Sequence, residues 1–360
     1  MTEVTSSSSM KEEYRKHIAK RIFFIGLILV ALVFLIGVAL TIGGRDIGVL
    51  EVYGYLFNHI LGNDPEVTDP AWQDLFSIWN VRLPRILAAL IAGCGLAIGG
   101  AVMQAAVKNP LADPYTTGIS SGAVFGVSVA LVLGFSLSSS TGVYGLIINA
   151  FIFGMIPAAF VIVLSRFSTV SPTTIILAGV ALSYLFSSLS TLLLIGSSAE
   201  TIQQAYVWQI GTLQNVNWNT LPVMFLVTLI GGVISLIMSN KLNLLTLGDA
   251  SAKSLGLNAE QLRLIILILL SVMTAGIISY TGIIGFVGLV SPHIVRMILG
   301  ADNRFVIPGS ALVGMLLLAL SDLIARTIIY PGEIAVGVIM SFIGAPIFLL
   351  LIIRSRKEMW

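Results

Sequence analysis

The chain has 360 residues and a formal net charge of +2; 57% of its residues are hydrophobic and only 10% are charged. A mean hydropathy of +1.00 excludes an ordinary water-soluble domain, because a soluble chain of this size could not bury so much apolar surface. The composition indicates an integral membrane protein, and we expect the lipid bilayer but no nucleic acid among its partners.

Apolar runs follow one another along the whole chain, most of them close to the length of about 20 residues that a bilayer-spanning helix needs. They cover residues 22–42, 84–107, 116–137, 144–164, 173–195, 221–238, 264–280, 283–298, 306–329 and 334–353. Several contain glycine or proline, which membrane helices tolerate better than soluble helices do. The pattern predicts an all-α polytopic membrane protein with about ten transmembrane helices.

The distribution of Lys and Arg predicts the orientation of these spans, because basic residues stay on the cytoplasmic side of short loops. With the N terminus inside and ten alternating spans, only four of the 19 basic residues lie outside. These four are Arg45, Arg82, Arg85 and Arg326. The asymmetry favours an even number of spans with both termini in the cytoplasm. Residues 1–20 are then a cytoplasmic tail, and residues 21–356 form a single transmembrane domain.

The sequence lacks the motifs of an enzyme or a metal site. His17, His59 and His293 do not have the spacing of paired metal ligands, and Cys94 is the single cysteine. The segment 248–254 has the Gly, Lys and Ser of part of a phosphate-binding loop, but it lacks the second glycine before the lysine. We therefore expect no catalytic activity, no metal site and no cofactor bound by this chain.

The longest cytoplasmic connection, residues 240–263, predicts two short helices. Asp249 suits the positive end of a helix dipole, Gly256 can end that first helix, and Asn258 can cap the next one. Two short amphipathic helices on the cytoplasmic face form a surface on which a partner can dock.

Three long motifs, in this order, resemble the FecCD-type permeases of ABC importers for iron-siderophores, haem and cobalamin. They are VRLPRILAALIAGCGLAIGGAVMQAAVKNPLADP (81–114), GDASAKSLGL (248–257) and GIIGFVGLVSPHIVRMILGADNR (282–304). The resemblance implies a permease subunit with the type II ABC importer fold in the cell membrane. It also implies a permease dimer, two ATP-binding subunits below it and an extracytoplasmic substrate-binding protein above it. ATP and magnesium are then used by the partner ATPase.

The resemblance further implies roles for individual residues at the two faces of the membrane. The loop that couples to the ATPase is carried over to Gly248, Asp249, Ala252, Leu255 and Gly256. The arginines expected to meet glutamates of the docked binding protein are Arg82, Arg85 and Arg326. Arg45 has no counterpart in the resemblance and is a weaker docking candidate. A guanidinium forms bidentate pairs with carboxylates that lysine cannot match. The alternative for these arginines is snorkelling at the helix ends.

Cytoplasmic gates are expected at two proline-containing connections. The resemblance assigns them to Asn109 and Leu111 after the second span, and to Pro172 and Thr173 before the fifth. Proline interrupts helical continuity, so the neighbouring residues can act as a short hinge. The alternative is that both connections are simple turns.

The glycines of the second span and the acidic residue Asp322 lead to two further predictions about the interior of the spans. The spacing of Gly93, Gly95, Gly99 and Gly100 predicts close packing of the second span against its neighbours. Asp322 is an acidic residue within a span, and such residues are functional candidates by default. Its position four residues before Arg326 favours an internal ion pair instead.

The leading hypothesis is thus the permease of a binding-protein-dependent ABC importer, with an iron chelate favoured over cobalamin as the commoner use of the family. The alternative is an ion-coupled secondary transporter of a small organic solute, which would usually carry midplane carboxylates and paired discontinuous helices. A membrane-embedded hydrolase would need convergent Ser, His and carboxylate groups or metal ligands, which the sequence does not indicate.

Overall fold

The computed structural model describes residues 7–43, 47–136, 143–167 and 170–355, and the regular secondary structure in these ranges is entirely helical. Arg45 lies outside the described residues, as do the basic residues Arg356 and Lys357 that were placed at the cytoplasmic C terminus. The predicted all-α class is confirmed.

The α-helices are α1 (Ser7–Thr41), α2 (Val49–Ile60), α3 (Pro70–Phe76), α4 (Leu83–Val107), α5 (Ile119–Leu133), α6 (Val143–Leu164), α7 (Pro172–Ile195), α8 (Ala199–Ile210), α9 (Leu221–Ile237), α10 (Ser239–Thr246), α11 (Asp249–Ser254), α12 (Ala259–Thr281), α13 (Val287–Leu299), α14 (Asn303–Thr327) and α15 (Val336–Ser355). A π-helical segment, Ser77–Arg82, joins α3 to α4, and a 3-10 turn, Pro114–Thr117, precedes α5.

Every predicted apolar run overlaps a helix, although the run 116–137 corresponds to a shorter helix, Ile119–Leu133. Among the described residues, α1, the continuous helix formed by α3 and α4, α6, α7, α12 and α14 are long and apolar enough to cross a membrane. Helices α9 and α10 form one further candidate span bent by 58°, whereas α5, α13 and α15 are shorter apolar helices. The number of ten crossings stays a prediction. Helix α1 already begins at Ser7, so the predicted N-terminal tail is helical from that residue.

Helix α4 lies at the centre of the bundle. In the apolar window of the α3–α4 span 78% of the residues are buried, against 28% in α7. Helices α9, α12, α13 and α14 all pack on α4. The periphery of the molecule, including α7 and α9, therefore carries most of the apolar surface left for lipid or for partner chains.

Glycines allow these close approaches to α4. A Cβ atom on Gly93 would lie 2.4 Å from the carbonyl oxygen of Gly314 in α14. One on Gly100 would lie 1.8 Å from the carbonyl oxygen of Gly288 in α13. Side chains of any size would separate these backbones, as in other membrane helix pairs built on small residues. The packing role predicted for the glycines of this span is confirmed.

Candidate functional site

Helix α11 is the short helix predicted in the cytoplasmic connection, and local signals define both of its ends. It begins at Asp249, directly after Gly248 at a φ of +106°. At its other end Gly256 adopts a φ of +82°. The N–H of Gly256 donates to the carbonyl of Lys253 at 3.0 Å. Glycine is favoured at both positions because a positive φ strains residues that carry a Cβ.

The next helix follows at once. The N–H of Leu257 donates to the carbonyl of Ala252 at 2.9 Å, which completes a Schellman motif. The side chain of Asn258 then accepts a hydrogen bond from the N–H of Gln261 at 3.1 Å and caps α12. The predicted start of α11, its end at Gly256 and the cap at Asn258 are confirmed. The prediction of a second short helix after Asn258 is wrong, because Asn258 opens α12, whose 23 residues form one of the long apolar helices of the bundle.

Two exposed leucines flank α11. Leu247 is 62% exposed and Leu255 is 60% exposed, whereas Ala252 between them is fully buried against the chain. We call α11 with Leu247 and Leu255 the coupling surface. Their side chains add exposed apolar surface on both sides of a short helix that is otherwise polar.

The coupling surface is fixed to the bundle by Asp249. Both terminal nitrogens of Arg263 in α12 donate to its carboxylate oxygens, at 2.8 and 2.6 Å. Lys108 lies 3.4 Å from the same carboxylate. The Arg263 hydrogen bonds lower the pKa of Asp249 to about 2, so the pair stays ionised throughout the physiological pH range.

Arg263 also ties α12 to the end of α4. Its side chain is only 1% exposed, and its Nε donates to the carbonyl of Ala106 at 3.0 Å. From the sequence, Arg263 and Lys108 contributed only to the count of basic residues expected on the cytoplasmic side. The sole local signal for this contact is a basic residue in the first turn of the helix after the loop, which does not reveal its partner.

The first predicted gate segment follows α4 directly. Lys108 ends the helix in the left-handed region, at a φ of +52°. The side-chain oxygen of Asn109 then accepts a hydrogen bond from the N–H of Leu111 at 2.9 Å, and Leu111 is 51% exposed. This is an Asx turn that presents an apolar side chain at the inner end of the bundle.

The second predicted gate segment opens α7. Ser171 caps that helix by accepting a hydrogen bond from the N–H of Thr174 at 3.1 Å. Pro172 occupies the first helical position, where its missing N–H is harmless, and Thr173 is exposed. Both segments are thus well-capped turns at helix ends, and their gating role stays a prediction.

On the opposite face, Arg82 caps the C terminus of α1. Its Nη1 donates to the carbonyls of Leu40 and Thr41, both at 2.7 Å, and the residue is 3% exposed. Arginine at this place satisfies carbonyls that a helix end leaves without intrahelical donors.

Arg85 and Arg326 converge on Asp322 at the same end of the bundle. The Nε of Arg85 donates to Asp322 Oδ1 at 2.8 Å, and the Nε of Arg326 lies 3.3 Å from Asp322 Oδ2. The Asp322 side chain is fully buried. The predicted internal pair of Asp322 with Arg326 is confirmed, and Arg85 makes the shorter contact.

Glu333, in the turn after α14, is the second carboxylate bound to Arg85. The Nη1 of Arg85 donates to it at 2.7 Å and Gln214 donates to it at 2.8 Å. Burial alone would raise the pKa of Glu333, but these two hydrogen bonds together with the positive charges of Arg85 and Arg326 outweigh burial and hold the pKa below its ordinary value. An open cavity of about 480 Å³ lies beside this group, between Asn80 and Asn217.

The three arginines expected to dock a binding protein are therefore turned into the chain. Arg82, Arg85 and Arg326 are only 3%, 6% and 9% exposed, and each donates to a group of its own chain. This conformation offers no free guanidinium for the predicted docking contact, nor the outward snorkelling that was the alternative. The physical reason is that buried helix-end carbonyls and a buried carboxylate require donors.

A bundle with several helices long and apolar enough to cross a membrane, and with a short leucine-flanked helix at one end, is the architecture of a multi-pass membrane protein. The chain belongs to the FecCD transport family, whose model matches residues 28–354.

Similar proteins with established names are permease proteins of transport systems. The hemin transport system permease protein HmuU of Yersinia pestis is 37% identical over 323 residues, which cover 89% of this chain and 94% of that protein. The Fe(3+)-citrate import system permease protein YfmD of Bacillus subtilis (strain 168) is 32% identical over 348 residues, which cover 97% of this chain and 99% of that protein.

A solved structure of an ABC transporter assigned to the metal-chelate type, in an inward-facing conformation, superposes with a TM-score of 0.80. It is 34% identical, and the match covers 92% of this chain and 99% of that one. The chain is accordingly the multi-pass membrane permease subunit of an ABC transporter, which works with ATPase and binding-protein partners, and hydrolysis of ATP takes place in the partner subunits. The comparisons give no support to the alternative of an ion-coupled secondary transporter.

Proposed function

We propose that the chain forms the translocation path for a metal chelate, either haem or an iron(III) chelate, and that ATP hydrolysis by docked partner subunits drives import. The observation that carries the mechanism is the coupling surface, where Leu247 and Leu255 are exposed beside a helix anchored through Asp249. The substrate class is supported by the relatives named for hemin and for Fe(3+)-citrate. In this proposal two permease chains enclose the path, and neither binds ATP or a metal cofactor.

The binding protein docks, in this proposal, on the outer face that carries Glu333 and Gln214 beside the open cavity. The buried arginines then support this face without touching the binding protein. Their hydrogen bonds fix the outer ends of α1, α4 and α14 relative to one another, through Arg82, Arg85 and Arg326. Arg85 also orients the Glu333 side chain. This assigns the arginines an indirect part in docking instead of the direct contact expected from the sequence.

Reconstitution in liposomes tests the proposed function. We expect uptake of labelled haem or ferric citrate only when the chain is combined with its ATP-binding subunits, its binding protein and ATP with magnesium. Cyanocobalamin serves as the probe for the competing substrate class. Uptake by the chain alone, indifferent to ATP, would contradict the proposal, whereas ATP-dependent uptake of cyanocobalamin alone would overturn only the substrate assignment.

Replacing Leu255 should weaken docking of the ATP-binding subunits. Burying a leucine side chain contributes about 1.5–3 kcal/mol, so Leu255→Asp should lower the affinity in detergent by about tenfold or more. Leu50→Asp, at a leucine that is 87% exposed on α2, is the matched control and should leave the affinity unchanged. Equal affinities of the two variants, measured by biolayer interferometry with the purified ATPase, would refute the assignment of the coupling surface.

A further inference from the structure

The first turn of α12 carries two side chains that leave the helix on the same side. Glu260 and Arg263 are three residues apart, which places them on one face. Arg263 reaches Asp249 in α11 and the carbonyl of Ala106 at the end of α4. Glu260 accepts a hydrogen bond from the N–H of Val170 at 2.8 Å. We call Glu260 and Arg263 the α12 junction.

The partners of the α12 junction lie immediately before the two gate segments. Ala106 is three residues before Asn109, and Val170 is two residues before Pro172. Since the intervening residues are held in capped turns, a displacement of either partner carries its gate segment with it. The coupling surface, α12 and both gate segments are therefore joined through two adjacent side chains.

We propose that the α12 junction transmits the movement of the coupling surface to both cytoplasmic gates at once. The inference rests on the proposed function, since it assumes that ATPase subunits move α11 and that the two segments gate the path. When α11 is displaced, Arg263 pulls on the end of α4 and turns the start of α12. Glu260 moves with that turn and shifts the segment before α7.

The contacts have the stiffness that such transmission requires. A bidentate guanidinium–carboxylate pair fixes both distance and orientation, which a single hydrogen bond does not. Arg263 is 1% exposed, so water offers its nitrogens no competing partners, and Lys108 adds a second charge beside Asp249. In the second contact of the α12 junction, between Glu260 and Val170, Val170 is 2% exposed. The N–H of this buried residue would lose the acceptor that Glu260 provides if Glu260 moved away without it.

The proposal predicts uncoupling, and the test measures uptake and ATP hydrolysis together in proteoliposomes that contain the complete transporter. Glu260→Ala removes the acceptor for the N–H of Val170, and Arg263→Gln removes the bidentate guanidinium–carboxylate pair with Asp249. We expect each variant to hydrolyse ATP at close to the wild-type rate and to lower the amount of substrate transported per ATP by about tenfold. Glu260→Gln keeps an acceptor oxygen and should restore coupling.

Gate movement gives a second readout, which a merely structural role would not change. With Cys94 replaced by Ala the chain contains no cysteine, so a spin label can be placed at Thr173→Cys. In the wild-type background the distance between the labels of two permease chains should change on vanadate trapping. It should stay fixed with Glu260→Ala. Arg166→Gln, at an exposed arginine on the same inner side, is the charge-matched control for Arg263→Gln.

The outcomes separate the two proposals. Absence of ATP-dependent uptake in the wild-type complex would overturn the proposed function itself. Wild-type uptake together with full coupling and full gate movement in Glu260→Ala and Arg263→Gln would overturn the α12 junction and leave the function standing. Should Arg263→Gln fail to assemble on size-exclusion chromatography, Arg263→Lys takes its place with the same expected loss, because lysine keeps the positive charge but cannot form the bidentate pair with Asp249.

Discussion

Gly100→Ala is expected to lower the free energy of unfolding strongly. The added Cβ would lie 1.8 Å from the carbonyl oxygen of Gly288 and 2.4 Å from its carbonyl carbon. Both atoms are backbone, so no side chain can rotate away, and α4 and α13 must separate. Overpacking a core typically destabilises by about 1–3 kcal/mol and occasionally more. Because α4 also packs on α12 and α14, we expect the upper end, about 3 kcal/mol.

A second glycine supplies the control. Gly26 lies in α1, and a Cβ there would meet nothing within 4 Å. Gly26→Ala should leave the fold intact and gain about 0.5–1 kcal/mol, since alanine loses less backbone entropy in a helix than glycine does. Reversible unfolding in mixed detergent micelles measures both variants. A Gly100→Ala protein as stable as the Gly26→Ala protein would show that α4 and α13 do not approach through these glycines.

Asp322→Ala should be the most destabilising substitution among the acidic residues of the outer face. The carboxylate is fully buried and lies between the guanidinium groups of Arg85 and Arg326. Removing one partner of a buried ion pair leaves the other charge uncompensated, which typically costs about 3–5 kcal/mol. Here two arginines would also be left facing each other. We expect a loss of that size in the free energy of unfolding.

Glu333 offers a control on the same arginine. It binds Arg85 at 2.7 Å, but its side chain is 32% exposed and remains partly hydrated. Glu333→Ala should therefore lower the free energy of unfolding by about 1 kcal/mol or less. Asp322→Ala and Glu333→Ala are compared in the same micelle assay. Both carboxylates lie within 2.8 Å of Arg85, so a difference in their free energies of unfolding reflects burial and not distance. Equal losses from the two variants would contradict the account.

The partners of the outer arginines could be predicted from the sequence only in part. The position of these arginines at helix ends, the absence of lysine beside them and the i,i+4 pairing of Arg326 with Asp322 were visible in the sequence, but the partners of Arg82 and Arg85 were not. Arg82 meets carbonyls more than 40 residues away in the chain, and Arg85 meets Asp322 across 237 positions. Such contacts depend on how α1, α4 and α14 pack, which no local pattern specifies.

The sequence by itself determined the features that follow from local rules. The all-α class and the positions of the spans follow from the length and polarity of the apolar runs, because a bilayer interior requires each segment to satisfy its own backbone. The limits of α11 follow from Asp249 and Gly256, whose dipole and φ preferences act within one helical turn. The glycines of α4 predicted close packing because residues without side chains allow neighbouring backbones to approach within the membrane.

Only the tertiary structure decided which groups meet. It turned Arg82, Arg85 and Arg326 inward, joined Asp249 to Arg263, and brought Glu260 to Val170 beside the second gate segment. The physical reason is that a buried charge or backbone N–H must find a partner wherever the packed helices place one. That partner is set by distances in space and not by spacing along the chain.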